Sequence, residues 1–290
     1  MLRRSEVVKL RQVSARTIEQ TVKELFLQAN YLIGDDVLNK LKAQYEKEES
    51  PIGKSVIEQI IKNDKIAAEE KIAICQDTGM AVVFVELGQE VAIIDGDFND
   101  AINEGVKQAY TEGYLRKSVV ADPLFNRVNT KYNIPAIIHL KIVPGDKISI
   151  LVTPKGFGSE NMSRIKMLKP ADGVEGVKNF IVTAAVEAGP NPCPPIVVGA
   201  GIGGTMEVAA ILAKKATTRP VGEHNPDKRY AELEAEILNE INKSVVGPAG
   251  LGGRTTALAV NIEQFPTHIA GLPVAVNICC HAARHAQRII

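Results

Sequence analysis

Gly189-Pro-Asn-Pro-Cys193-Pro-Pro195-Ile-Val-Val198-Gly-Ala-Gly201-Ile-Gly-Gly204-Thr205 decides the fold of this chain. Four prolines fix φ and remove backbone donors, so residues 189–195 cannot be helical. Ile196-Val-Val198 then reads as a short buried strand, and Gly199 to Gly204 as a glycine-rich turn. Thr205 to Ala216 carries apolar residues at helical spacing. The order strand, glycine turn, helix indicates an α/β protein.

Working outward, the same alternation recurs. Toward the N-terminus, Thr17–Leu32, Asp35–Tyr45 and Ser55–Ile61 have helical periodicity with polar outer faces, so residues 1–70 read as a helical cap. Residues 71–290 form the α/β core. In it Ala81–Leu87 is a buried strand and Phe98–Tyr110 a helix. Ala136–Val143 and Lys147–Val152 suggest a hairpin around Pro144-Gly145-Asp146. Beyond the proline segment, Val174–Ala188 and Asp227–Val245 are helices, and Thr256–Ile262 and Leu272–Ile278 are strands. No repeat or linker divides the chain. The expectation is one interwoven unit, a mixed sheet flanked by helices.

Composition narrows the function. Apolar residues make up 45% and charged residues 23%, as in a globular domain. Lys+Arg and Asp+Glu are both 34, so no basic excess points to nucleic acid or an anionic membrane. No apolar run is long enough to span a bilayer, and Met1-Leu-Arg-Arg-Ser-Glu-Val-Val-Lys9 has no export h-region. With four cysteines, the expected compartment is the reducing cytoplasm.

The cysteines are the most informative side chains. Cys75 lies in Ile-Cys-Gln-Asp-Thr-Gly, Cys193 between prolines, and Cys279-Cys280 in Asn-Ile-Cys-Cys-His. Each segment is bounded by Gly or Pro and carries polar neighbours, which suggests thiolates gathered by folding around an iron-sulfur cluster. A structural cysteine before an Asx-type turn reads equally well at Cys75 alone. Two rivals stand beside this. His281 and His285, four apart, suggest zinc with a terminal cysteine, but no Glu lies between them and Arg284 adds a cation. Gly199-Ala-Gly201-Ile-Gly-Gly204 matches the dinucleotide fingerprint G-x-G-x-x-G, yet residues 217–226 are too broken by proline for the second parallel strand that fingerprint needs.

Taken in order, Ile-Cys75-Gln-Asp-Thr-Gly, Leu115-Arg-Lys-Ser-Val-Val, Lys155-Gly-Phe-Gly-Ser-Glu-Asn, Asn191-Pro-Cys-Pro-Pro, Gly201-Ile-Gly-Gly-Thr and Cys280-His-Ala-Ala-Arg resemble the iron-sulfur hydro-lyases, the class I fumarate hydratases and L-tartrate dehydratases, over essentially the whole chain. The likeness is to the α subunit or the N-terminal half of a fused form. It implies a 4Fe-4S cluster on Cys75, Cys193 and Cys280, with Cys279 the alternative third ligand. It further implies Gln76, Arg116 and the amide of Gly158 on a dicarboxylate substrate, and Asp77 or His268 handling the proton of the departing water. The family's base lies on a β part not found in this sequence, so the resemblance implies an α-β hetero-oligomer. Reversible hydration of fumarate to malate is the leading expectation, tartrate dehydration the alternative, and a nicotinamide-dependent oxidoreductase the reading from a different class.

Overall fold

The computed structural model describes residues 10–290, so the N-terminal segment Met1–Lys9 read above for export lies outside the described residues. In chain order the elements are β1 Arg11–Ser14, α1 Ala15–Tyr31, α2 Asp35–Lys47, α3 Pro51–Glu70, β2 Met80–Gly88, β3 Val91–Ile94, α4 Phe98–Glu112, β4 Ile137–Val143, β5 Ile148–Lys155 and α5 Phe157–Glu160. They continue with β6 Arg164–Leu168, α6 Gly173–Ala188, β7 Ile196–Gly203, α7 Met206–Ala216, α8 Lys228–Lys243, β8 Ala257–Phe265, β9 Leu272–Cys279 and β10 Ala286–Ile289. The fold is mixed α/β, with mixed sheets flanked by helices, as the sequence predicts.

Two compact units divide the chain. The first comprises the described residues up to Tyr31 with Gln76–Lys155 and His285–Ile290, and the second comprises Leu32–Cys75 and Gly156–Arg284. The helices of the first seventy residues are therefore shared, α1 with one unit and α2 and α3 with the other.

In the first unit the sheet order is β10-β5-β2-β4. β4 and β5 are not partners in a hairpin; β2 lies between them, parallel to β4 and antiparallel to β5. The reason is burial. β2 is the most apolar strand of the unit, with Ala81–Val85 all buried, and both of its edges are satisfied only in the middle. β4, exposed at Ile137, Leu140 and Ile142, takes the edge. α1 and α4 pack together, burying Ile18, Val22, Leu25 and Phe26 against Ile102, Val106, Ala109 and Tyr110. The Phe26 and Tyr110 rings meet at 6.2 Å.

In the second unit the order is β6-β9-β7-β8, with β7 parallel to β8 and antiparallel to β9. Every residue of β7 is buried, because helices cover both faces. Val198, Ala200 and Ile202 point toward α6 and α8, where Ile181, Ile237 and Ile241 complete a core. On the other face Val197 and Cys279 join Val37, Leu41, Ile57 and Ile60 of α2 and α3. Gly199 and Gly201 meet α7 there. A β-carbon on Gly201 would fall on the carbonyl of Ala209, and one on Gly199 on that of Ala213. Helix-on-strand packing thus accounts for the first two glycines of the G-x-G-x-x-G match, which sit inside a strand rather than in the strand-to-helix turn a dinucleotide needs. Only Gly203 and Gly204, both at positive φ, make the turn into α7.

Candidate active site

Cys75, Cys193 and Cys280 all belong to the second unit. The run before Cys75 is not a strand but a bend, held by the Asn63 side-chain amide donating to the Ile74 carbonyl at 2.9 Å. Ile74 and the partly buried Cys280 pack with Ala67 and Ala282. Cys193 stands in the stiff proline segment with φ of 51°, a left-handed conformation that costs a non-glycine residue about 1–2 kcal/mol. Its carbonyl accepts from the His281 N–H at 3.3 Å, and the Pro194 carbonyl from the Ala249 N–H at 2.8 Å. These bonds tie its loop to the segment after Cys280 and to the loop before β8.

The electrostatics report the same convergence. Partial burial pushes the Cys193 thiol up, and the thiols of Cys280 and then Cys75 push it further. Cys280 lies well above its ordinary value because of its hydrogen bond with Cys279 and its desolvation. Cys279 is buried against α2 and α3. Among the described residues none of the four cysteines is in a disulfide, and no three His, Cys, Asp or Glu side chains close tightly enough on one point for a single metal ion. The zinc reading of His281 and His285 loses its geometric basis, since residues 281–285 are not helical and β10 follows directly. Burial, and then the nearby Arg284, hold His281 down to about 4, so it is neutral.

In the first unit, Asp77 and Arg116 come together through backbone. The Asp77 carboxylate accepts from the Gly79 N–H at 3.0 Å. Thr78, fully buried, donates its hydroxyl to the Arg116 carbonyl at 3.0 Å. The Tyr110 hydroxyl reaches the carbonyls of Thr78 and Gly79, and the Asn133 amide reaches Gly79. Gly79 has φ of 73°, and a β-carbon there would come within 2.7 Å of the Lys155 backbone, so only glycine allows this turn. Gln76 and Arg116 are exposed and Asp77 is half-buried.

Gly158 lies in α5 in the second unit, where a β-carbon would come within 3.4 Å of the Asn191 carbonyl, which places it beside the Cys193 loop. His268 is placed elsewhere. Val197 pairs with Cys279 at one end of the β7-β9 ladder, and Ile202 with Val274 at the other. His268 lies beyond that far end, by a cavity of about 370 Å³ that Ile202, Leu233 and Leu272 also line. With about 3.3 Å per residue, the length of β9 separates it from Cys280 by roughly 20 Å.

Tyr110, Thr78 and Asn133 were not legible as site residues, because each acts through a backbone carbonyl distant in sequence. Glu48 is another. It is buried, caps its own following turn, and accepts from Arg254 N, Thr255 N and the Thr255 hydroxyl. Burial pushes its carboxyl up, but the donors from Arg254, Thr255 and Ser50 outweigh that and hold it below its ordinary value.

Residues 19–289 match the family model described as fumarate hydratase (Fumerase). The chain is similar to the putative L(+)-tartrate dehydratase subunit alpha of Methanocaldococcus jannaschii, 46% identical over 278 residues that cover 94% of this chain and 97% of the relative. It is also similar to the L(+)-tartrate dehydratase subunit alpha of Escherichia coli strain K12, 33% identical over 260 residues, 88% of this chain and 85% of the relative. No helix among the described residues is long and apolar enough to cross a membrane. The chain belongs to the fumarate hydratase (Fumerase) family, hydro-lyases among which its tartrate dehydratase α-subunit relatives fall.

Proposed function

We propose that this chain is the α subunit of a 4Fe-4S hydro-lyase whose first substrate is L(+)-tartrate, with fumarate and malate second. The order reverses the expectation from sequence motifs, because both named relatives above are tartrate dehydratase α subunits. One observation supports the cluster assignment: the segment after Cys280 is hydrogen-bonded to the Cys193 carbonyl, and Ile74, next to Cys75, packs with Cys280, so three cysteines distant in sequence are gathered within one unit. A cluster gives each iron its own thiolate and so spreads its ligands. Cys280 is preferred to Cys279 because it directly precedes the short run ending in Arg284, whereas Cys279 is part of the core against α2 and α3.

When bound, the cluster supplies a Lewis acid at the iron left without a protein thiolate. The chain's own residues bind and orient. Arg116 offers a planar fork to a substrate carboxylate, and the Gly158 amide a single donor. Gln76 orients the substrate hydroxyl. Asp77, whose carboxylate is fixed on the Gly79 turn, holds the proton that leaves with water. His268, at the other end of the sheet from Cys280, serves no step in its own chain. The group that takes the carbon-bound proton belongs to a β subunit, and the pair forms an α-β hetero-oligomer.

The test is anaerobic reconstitution of the chain with iron and sulfide, alone and with the β chain, followed by iron analysis, visible absorption and assays on L(+)-tartrate and malate. The reading expects a coloured protein, weak turnover alone, and tartrate preferred in the complex. A protein that takes up no iron overturns the cluster; full turnover without a second polypeptide overturns the subunit assignment.

A further inference from the structure

The loop between α4 and β4 exposes apolar side chains that a soluble surface rarely tolerates. Leu124 is 70% exposed and Phe125 89% exposed at its tip, with Val128 exposed beside them. A floppy loop could bury them by collapse, but this one is braced. The Asp122 carboxylate accepts from the N–H groups of Leu124, Phe125 and Asn126. Ala121 N donates to the Val128 carbonyl and Thr130 N to that of Val119, and Val120 bridges Asn129. At the base, Ser118 N donates to the buried Asn133 side chain at 2.7 Å, and the Asn129 amide to the Lys117 carbonyl at 2.8 Å. A dozen residues are thus ordered, at the usual cost in chain entropy, around a tip that packs on nothing in its own unit.

Preorganisation of this kind lowers the cost of binding, and an aromatic anchor flanked by cations is the composition of an interface hot spot. Arg127 donates to the Pro123 carbonyl beside the tip, Lys117 and Lys131 flank the loop in sequence, and the one acid between them, Asp122, is occupied by backbone donors. The loop is also fixed relative to the proposed chemistry. Thr78 holds the Arg116 carbonyl and Asn133 holds Gly79, so the base of the loop is bonded to the turn that bears Asp77.

We propose that the braced loop Val119–Thr130 docks the β subunit, with Leu124 and Phe125 entering an apolar recess whose rim is acidic and meets Lys117, Arg127 and Lys131. A protein is required rather than an anionic small molecule, because the exposed tip itself is apolar. The inference rests on the hetero-oligomer reading above. It adds that hydrogen bonds within this chain register the partner against Asp77 and Arg116.

The experiment uses the full chain and the separately expressed β chain, mixed anaerobically after cluster reconstitution. Titration of β into wild type, Leu124→Glu/Phe125→Glu and the control Ile52→Glu, an exposed residue of α3, gives the dissociation constants. The expected result is a loss of about tenfold or more for the double variant, none for the control, and an unchanged visible spectrum in all three. A photo-crosslinking residue at position 125 should join the chain to β peptides. Affinity within about twofold of wild type for the double variant, or cross-links only to a second copy of this chain, overturns the docking assignment while leaving the subunit reading intact. A chain that forms no complex with β and turns over fully alone overturns both.

Discussion

The backbone N–H of His281 donates to the carbonyl of Cys193 across 3.3 Å, fastening the segment after Cys280 to the proline loop. Because Cys193 is held at positive φ by the prolines around it, its carbonyl direction is set before any metal arrives. The thiols of Cys193 and Cys280 are therefore brought together by the fold, and less order is lost when a metal group binds.

From that arrangement the two adjacent terminal cysteines should behave oppositely. Cys75→Ser, Cys193→Ser and Cys280→Ser should each abolish the visible absorption of the reconstituted protein and lower activity at least tenfold to a hundredfold, the range seen for outer-shell changes alone. Cys279→Ser should keep the spectrum and lose only packing stability. Iron analysis of the four variants decides it, and a bleached Cys279→Ser beside a coloured Cys280→Ser would exchange their roles.

Glu48 should matter for stability well beyond its distance in sequence from any cysteine. It holds the Arg254-Thr255 backbone, and the preceding loop donates from Ala249 to Pro194. Glu48→Ala leaves buried donors unsatisfied and should cost about 3 kcal/mol in urea denaturation. Glu48→Gln, which keeps an acceptor, should cost less.

Gly201→Ala should destabilise by about 1–3 kcal/mol or more, since its new methyl must displace the α7 backbone at Ala209. It should do so with no effect on nicotinamide cofactor binding, of which isothermal titration should find none.

Asp64 supplies a pH prediction. It lies on the buried face of α3 with Ile57, Ile60 and Ala67. Desolvation raises it from 3.8 to about 7, opposed only by the Asn63 side chain. Between about 4 and about 7 the folded protein holds a proton that the unfolded chain has lost, so this group's contribution to stability falls as pH rises through that window. The difference is at most ~4 kcal/mol. Asp64→Asn should gain on wild type in chemical denaturation at pH 8 and not at pH 4; an equal offset at both would show that the carboxyl does not titrate in that window.

Much of this was legible in the chain. Prolines around Cys193, the apolar run of β2 and the periodicity of α1, α4, α6 and α8 specify local structure by local chemistry. Pairing was less so. Residues 136–152 have a good turn between two apolar runs, yet β2, an apolar strand from earlier in the chain, takes the place between them and leaves the more exposed β4 at the edge. The last residues, Ala286–Ile289, form β10 because β5 offers an unpaired edge. His268 shows the limit most clearly. A motif gives the order of residues along the chain, and an eight-residue strand then carries Cys279 away from the loop that precedes it.

The pairing of β10 with β5 bears on synthesis. Residues 286–289 complete a sheet whose other strands end at Lys155, and residues 156–284, the larger part of the second unit, are made in the interval. While the ribosome translates residues 156–284, β5 waits with its ladder groups open, a template for wrong strands. Slow elongation or premature release in that interval should favour aggregates over native protein, and nascent chains of this length should depend on chaperones that shield bare sheet margins.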